Sequence, residues 1–235
     1  MSILSQLQEC QKRITQACQQ ATRSPQSVQL IAVSKTHPAE KVLEAFECGQ
    51  KHFGENYVQE CVDKIHSLEV HRHEIIWHFI GPLQSNKTKL IAEQVDWVQS
   101  VDREKIAQRL SSQRPHHLAP LQVLVQVNIS GEASKSGVAP QEALQLCQII
   151  LALPNLQLRG LMAIPEPGAS SHSLKELHDL FEEIKKTLFD YNLFDTLSMG
   201  MSDDLESAIQ SGSTMVRIGT AIFGHRDKQP PALIQ

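Results

Sequence analysis

The sequence predicts a (β/α)8 barrel, and three features predict it. Short apolar runs alternate with amphipathic segments along all 235 residues, the pattern of parallel strands joined by crossover helices. Eight such runs occur, each followed by helical or helix-like sequence, which suits a closed barrel better than an open sheet. No low-complexity linker, short repeat or shift of composition divides the chain, so residues 1–235 are read as one domain.

The elements follow in order. MSILSQLQECQKRITQACQQ is amphipathic, with Ile3, Leu4, Leu7, Ile14 and Ala17 close to helical spacing. It forms an extra N-terminal helix, expected to cover the bottom of the barrel. QLIAV (29–33) is a run apolar enough to be buried on both faces, and Pro38 then admits the start of a helix over Ala39–Gly49, with Gly49 as its C-cap. KHF (51–53) is the weakest strand, followed by a helix over Tyr57–Leu68. IIWHFIG (75–81) precedes Lys87–Glu93, and VDWVQS (95–100) precedes Arg103–Arg114, for which Asp102 is the expected N-cap. PLQVLVQVNI (120–129) leads to Pro140–Leu153, and LQLRGLMAI (156–164) to His172–Tyr191. TLSMG (196–200) leads to Asp203–Ser211 with Ser202 as N-cap, and TMVRIG (214–219) closes the series.

Bulk properties exclude several function classes. A net charge of −4 provides no general attraction to nucleic acid or anionic lipid. Five cysteines, an odd number without a CxxC pair, read as reduced thiols. There is no signal-peptide apolar core and no segment long enough to span a bilayer. The expectation is a soluble, cytoplasmic protein with no nucleic-acid or membrane partner.

In such a barrel the chemistry sits at the C-terminal ends of the strands. Those ends read Ser34-Lys35-Thr36, Gly54-Glu55-Asn56, Gly81, Ser100, Asn128, Met162, Ser198-Met199-Gly200 and Gly219-Thr220. Carboxylates are nearly absent, which argues against a carboxylate-held divalent metal and against a glycosidase pair. His71, His73 and His78 read as exposed or packed imidazoles, so no metal site is expected. SMGMSDD before a helix and RIGT after the last strand offer hydroxyls and free backbone N–H groups, the requirements of a phosphate monoester. Opposite them stands one lysine, Lys35, at the end of an apolar strand. A lysine there is either reaching out to water or partly desolvated for chemistry.

AVSKTHP, HFGENYVQE, WHFIGPLQSNK, EASKSG and LSMGMSDDLESAIQSGSTMVRIGTAIFG resemble the pyridoxal 5′-phosphate homeostasis proteins, the YggS-like family, over nearly the whole chain. The resemblance implies the barrel of the alanine racemase N-terminal domain, with pyridoxal 5′-phosphate as cofactor. It makes Lys35 the Schiff-base lysine and places Ser198, Ser202, Gly219 and Thr220 around the phosphate. It sets Arg217 against the pyridine nitrogen and Asn56 near the ring. Family members commonly carry a second lysine two residues after the first; here that position is His37, so any part in cofactor transfer falls to an imidazole. Lys135, in the glycine-bounded loop GEASKSG after the fifth strand, is either a solvated loop lysine or an auxiliary phosphate or cofactor contact at the barrel mouth.

The residues agree with this picture. An amine attacks an aldehyde only when neutral, and partial burial moves a lysine toward that state. A guanidinium cannot accept a proton, so Arg217 favours an unprotonated pyridine nitrogen and a weak electron sink. The expected function is intracellular vitamin B6 homeostasis, in which the chain sequesters the cofactor and delivers it to apo-enzymes without turnover of its own. The alternative is a catalytic amino-acid racemase. Against it stands the end of the chain soon after the eighth strand, where racemases continue into a domain carrying a catalytic tyrosine across a dimer interface. The same feature leads to the expectation of a monomer. A barrel enzyme acting on a phosphorylated metabolite without this cofactor would explain the phosphate cradle but not Lys35.

Overall fold

The computed structural model describes residues 2–132, 135–164 and 171–224. Eight parallel strands close into a barrel in chain order, β8 returning to pair with β1. They are β1 (Gln29–Val33), β2 (His52–Glu55), β3 (Ile76–Phe79), β4 (Trp97–Val101), β5 (Leu121–Gln126), β6 (Leu156–Met162), β7 (Thr196–Ser198) and β8 (Met215–Ile218). After α1 (Ile3–Gln20), each strand is followed by a helix: α2 (Ala39–Glu47), α3 (Val58–Ser67), α4 (Thr88–Gln94), α5 (Glu104–Gln113), α6 (Pro140–Leu151), α7 (Ser171–Thr187), α8 (Leu205–Gln210) and α9 (Thr220–Phe223).

The two-residue period of the strands sorts their side chains into two layers. In β1, Leu30 and Ala32 turn outward into the large apolar layer shared with the helices. Ile31 turns inward and packs with Trp97, Leu124, Met162 and Met215 as an apolar plug. The same alternation in β2 sends Phe53 outward. Gly54 faces inward, where a Cβ would stand 3.1 Å from Ile31 and 3.2 Å from Ile80. Parity therefore directs Val33 and Lys35 to the barrel axis, and Ser34 and Glu55 to the layer under the helices.

The expected caps fare unequally. Gly49 lies just past α2 at φ +97°, donates to the Phe46 carbonyl and ends the helix as expected. Asp102 does not cap α5: Arg103 holds the cap position in an extended conformation, and the Asp102 carboxylate instead accepts from its guanidinium at 2.6 Å. Ser202 does not cap α8 either. Asp204 Oδ1 accepts from the Met201 N–H at 2.6 Å, holding the loop as a turn of its own and delaying the helix to Leu205.

The N-terminal helix is also placed differently from expectation. α1 buries Ile3, Leu7, Cys10, Ile14, Ala17 and Cys18 against α8, α9 and α2. Because α8 follows β7 and α2 follows β1, α1 lies on the flank of the barrel over the β8–β1 seam. Among the described residues, β8 is followed by the short α9 (Thr220–Phe223), and the apolar stripe of α1 packs on α8 and α9 in the outer ring.

Candidate functional site

The C-terminal ends of β1, β2 and β8, with the β7–α8 loop, enclose a cavity of about 460 Å³. Its polar lining comprises Lys35, Asn56, Ser202, Asp203, Arg217, Gly219 and Thr220. Val33, Ile80, Ile164 and Met201 supply apolar wall. This size and this mix of apolar surface with a few converging polar groups are typical of small-molecule sites. Six of the residues singled out in the sequence are thus brought together from segments up to 185 positions apart (Lys35 and Thr220).

Each is held by its element. Lys35 follows β1 and is half-buried at the cavity. Asn56 follows β2, and its backbone carbonyl presses on Gly81: a Cβ there would stand 2.0 Å from that oxygen, so only glycine fits. Asn56 Oδ1 is buried with no hydrogen-bond partner among the described residues. Arg217 projects inward from β8, is 4% exposed, and donates from Nη2 to the Ala163 carbonyl at 2.8 Å. Burial lowers its pKa to about 10, which leaves the guanidinium charged at neutral pH. Arg13 on α1 grips Glu206 of α8 through two hydrogen bonds of 2.7 and 2.9 Å, and its Nη2 also donates to the Ser202 carbonyl at 2.9 Å.

Ser198 departs from expectation. It does not line the cavity; its hydroxyl is fully buried, accepts from Arg217 Nη1 at 2.6 Å and donates to Gln99 Oε1 at 2.7 Å. Strand parity points it into the barrel, so it holds Arg217 instead of reaching a phosphate. The chain continues below: Gln99 Nε2 lies 3.0 Å from His78 Nδ1, and His78 Nε2 lies 3.0 Å from His52 Nδ1. Burial keeps both imidazoles neutral, His52 falling to about 4 and His78 well below its ordinary value. With Gln99 donating to His78, the His78 proton sits on Nε2 and is directed at His52.

The auxiliary residues lie around the mouth. Lys135 lines an adjoining hollow of about 280 Å³ that shares Asn56, Ile80, Ile164 and Met201 with the main cavity, and its Nζ is 3.7 Å from a Glu132 carboxylate oxygen. The His37 ring packs 5.3 Å from Phe223 of α9 and does not line the cavity.

The sequence reading missed a charged cluster on the outer side of β1 and β2. Lys64 of α3 donates at 2.7 Å to Glu55 Oε1, to Glu60 Oε1 and to the Ser34 carbonyl. Ser34 Oγ donates to Glu55 Oε1 at 2.6 Å. Burial pushes the Glu55 carboxyl up to about 7, against the opposing pull of Lys64. The helical spacing of Glu60 and Lys64 on α3 was the only sequence signal for it.

A family model for the alanine racemase N-terminal domain matches residues 6–227. The pyridoxal phosphate homeostasis protein of Pasteurella multocida is 55% identical over 231 residues, 97% of this chain and 99% of that one. Its counterpart in Pseudomonas aeruginosa is 57% identical over 221 residues, 94% of each chain. Among solved structures, PipY of Synechococcus elongatus PCC7942 with PLP bound is 33% identical, covers 95% of this chain and 100% of that chain, and superposes with a TM-score of 0.81. The likeness runs along nearly the full length of these relatives, and the chain belongs to the pyridoxal phosphate homeostasis protein family, built on the alanine racemase N-terminal domain.

Proposed function

We propose that the chain binds pyridoxal 5′-phosphate in this cavity as a Schiff base on Lys35, sequesters it, and hands it to apo-enzymes. The observation that carries the reading is that Lys35, Arg217 and the Ser202–Gly219–Thr220 rim converge on one cavity. The donor set fits the group: an amine for an aldehyde, hydroxyls and backbone N–H groups for phosphate oxygens, and a guanidinium for a ring nitrogen. Asn56 Oδ1, buried without a partner among the described residues, is left available to a polar substituent of the ring. When bound, the cofactor supplies an electrophilic aldehyde and a ring able to delocalise electrons.

Lys35 Nζ, in its neutral form, would supply the amine that holds the aldehyde carbon, with water as the leaving group. Ser202, Gly219 and Thr220 would hold the phosphate, and the apolar wall of Val33, Ile80 and Met201 would exclude water. Arg217 donates hydrogen bonds and accepts no proton, so it would favour an unprotonated ring nitrogen and a weak electron sink. Release to a recipient enzyme is supported by Lys35 being half-buried and not sealed.

The test is the visible spectrum of the purified protein, followed by borohydride reduction. The expected result is a yellow protein carrying a phosphopyridoxyl group on Lys35, with Lys35→Ala colourless. Label on another lysine, with Lys35→Ala still coloured, overturns the assignment. Pyridoxal without its phosphate is expected to bind far more weakly, because charge-assisted hydrogen bonds contribute on the order of 1.5–3 kcal/mol each.

A further inference from the structure

Both peptide groups that flank Lys35 are held from below by one charged cluster. The Ser34 carbonyl, on its N-terminal side, accepts from Lys64 Nζ at 2.7 Å. The Thr36 N–H, on its C-terminal side, donates to Glu60 Oε1. That same Glu60 oxygen accepts from Lys64, which also bonds Glu55 at 2.7 Å. An ammonium has three protons to donate, and all three of those on Lys64 are used here. Thr36 sits at φ +65°, in the left-handed region that a threonine adopts only when its surroundings impose it.

The cluster is a poor device for stability. The side chains of Lys64 and Glu55 are 5% and 0% exposed, and a buried ion pair of this kind is commonly no more stabilising than apolar side chains of the same volume. What it does specify is geometry. It fixes the peptide planes on either side of a single residue, and so the direction of that residue's Cα–Cβ bond. Strand parity then sends Lys35 to the barrel axis while the cluster stays in the layer beneath α3.

We infer that Lys64, Glu60 and Glu55 are positioning residues for Lys35: by clamping Ser34 and Thr36 they aim the amine at the aldehyde. This rests on the reading of Lys35 as the Schiff-base lysine. It assigns α3 a part in covalent capture, although no residue of α3 lines the cavity. Noncovalent recognition of the phosphate and ring depends on Ser202, Arg217, Gly219 and Thr220 and is expected to be independent of the cluster.

The experiment separates capture from binding with two probes. Pyridoxal 5′-phosphate reports capture through the growth of its visible band. Pyridoxine 5′-phosphate, with an alcohol in place of the aldehyde, binds without reacting and reports the cavity alone. Glu60→Ala removes the acceptor for Thr36 at a side chain only partly buried, so the fold is expected to survive; Glu60→Gln keeps an acceptor oxygen at the same reach. The expected result is capture slowed by about tenfold or more in Glu60→Ala, the order of loss that misplacing a reacting group brings. Pyridoxine 5′-phosphate affinity stays within about twofold, and Glu60→Gln restores most of the capture rate. Lys64→Met is expected to repeat the Glu60→Ala pattern. Wild-type capture rates in Glu60→Ala and Lys64→Met overturn the inference alone, as does an equal loss of both probes. Failure of the unsubstituted protein to capture the aldehyde on Lys35 overturns the functional reading and this inference together.

Discussion

At the scale of the residue, burial decides protonation in this barrel, and it does so with opposite signs for different groups. Glu55 has its carboxyl raised to about 7 by burial, so between its ordinary value near 4.5 and that point the folded chain holds a proton the unfolded chain lacks. Its contribution to stability is therefore present at the acid side of that window and is lost as pH rises through 7. His52 and His78 run the other way: burial holds them neutral, while the unfolded chain takes up protons below pH 6.5. Each removes up to about 1.4 kcal/mol per pH unit as the medium is acidified toward pH 4. The two histidines outweigh the one glutamate, so denaturant unfolding is expected to show lower stability at pH 5 than at pH 6.5. Glu55→Gln removes the opposing contribution and is expected to steepen that acid loss. A shallower pH dependence in the variant would contradict the buried, proton-holding role of Glu55.

At the scale of the element, the least barrel-like segment is tied most directly to the proposed phosphate end of the site. α1 precedes the first strand, yet its Arg13 bonds both the Glu206 carboxylate on α8 and the Ser202 carbonyl in the β7–α8 loop. The pair is partly exposed, with side chains 28% and 43% accessible, so its worth as a salt bridge is small. Its consequence is positional: it sets the height of the loop whose Ser202 faces the cavity. Arg13→Ala is expected to weaken pyridoxal 5′-phosphate binding by roughly threefold to tenfold, the range over which such bridges couple, with little change in the binding of pyridoxal lacking the phosphate. Equal weakening of both ligands would locate the effect in general loosening of α1. Buried Ser198 has a comparable role one layer down, since its hydroxyl joins Arg217 of β8 to Gln99 of β4. Ser198→Ala leaves the Arg217 Nη1 and Gln99 Oε1 without this partner, and its expected signature is a shifted visible band of the loaded protein more than a loss of phosphate affinity.

At the scale of the whole molecule, the question is whether the loaded barrel turns over. Racemisation needs acid and base groups within hydrogen-bond reach of the α-carbon, one on each face. Of the two tyrosines, Tyr57 is 55% exposed and Tyr191 donates its hydroxyl to the Leu158 carbonyl at 2.8 Å; neither lines the cavity. In the proposed arrangement Lys35 would serve one face, and Arg217 would limit the electron sink. Incubation of the loaded protein with alanine and other amino acids in deuterium oxide is expected to give negligible exchange at Cα. Exchange at multiple turnovers per second that vanishes in Lys35→Ala would make the chain a racemase-like enzyme. The exposed large apolar side chains, among them Leu4, Val70, Leu90, Leu151 and Phe189, stand on different parts of the molecule. Isolated apolar residues are ordinary for a protein surface, and sedimentation is expected to show a monomer.

The sequence by itself determined the barrel, its eight strands in order and the end of it at which Lys35, Asn56, Ser202, Gly219 and Thr220 converge, while Arg217 was singled out by the family resemblance alone. It could do so because hydrophobic period, glycine placement and polar strand ends are local properties, and a closed parallel barrel leaves little freedom in arranging them. Even the weakest strand, KHF, was legible, moved only to His52–Glu55. What only the tertiary structure decided depends on contacts between distant segments. Ser198 reads as a phosphate ligand from its neighbours in the chain, but inward parity and a partner 99 residues away commit it to Gln99. The caps assigned to Asp102 and Ser202 were lost to Arg103 and Asp204, whose side-chain geometry local spacing does not encode. α1 has an apolar stripe but nothing in its sequence says which surface covers it, and only the packing on α8, α9 and α2 settled that. The cluster of Lys64, Glu55 and Glu60 was hidden for the same reason: the spacing of Glu60 and Lys64 reads as a solvated helix face until α3 packs on β1 and β2 and Lys64 meets Glu55.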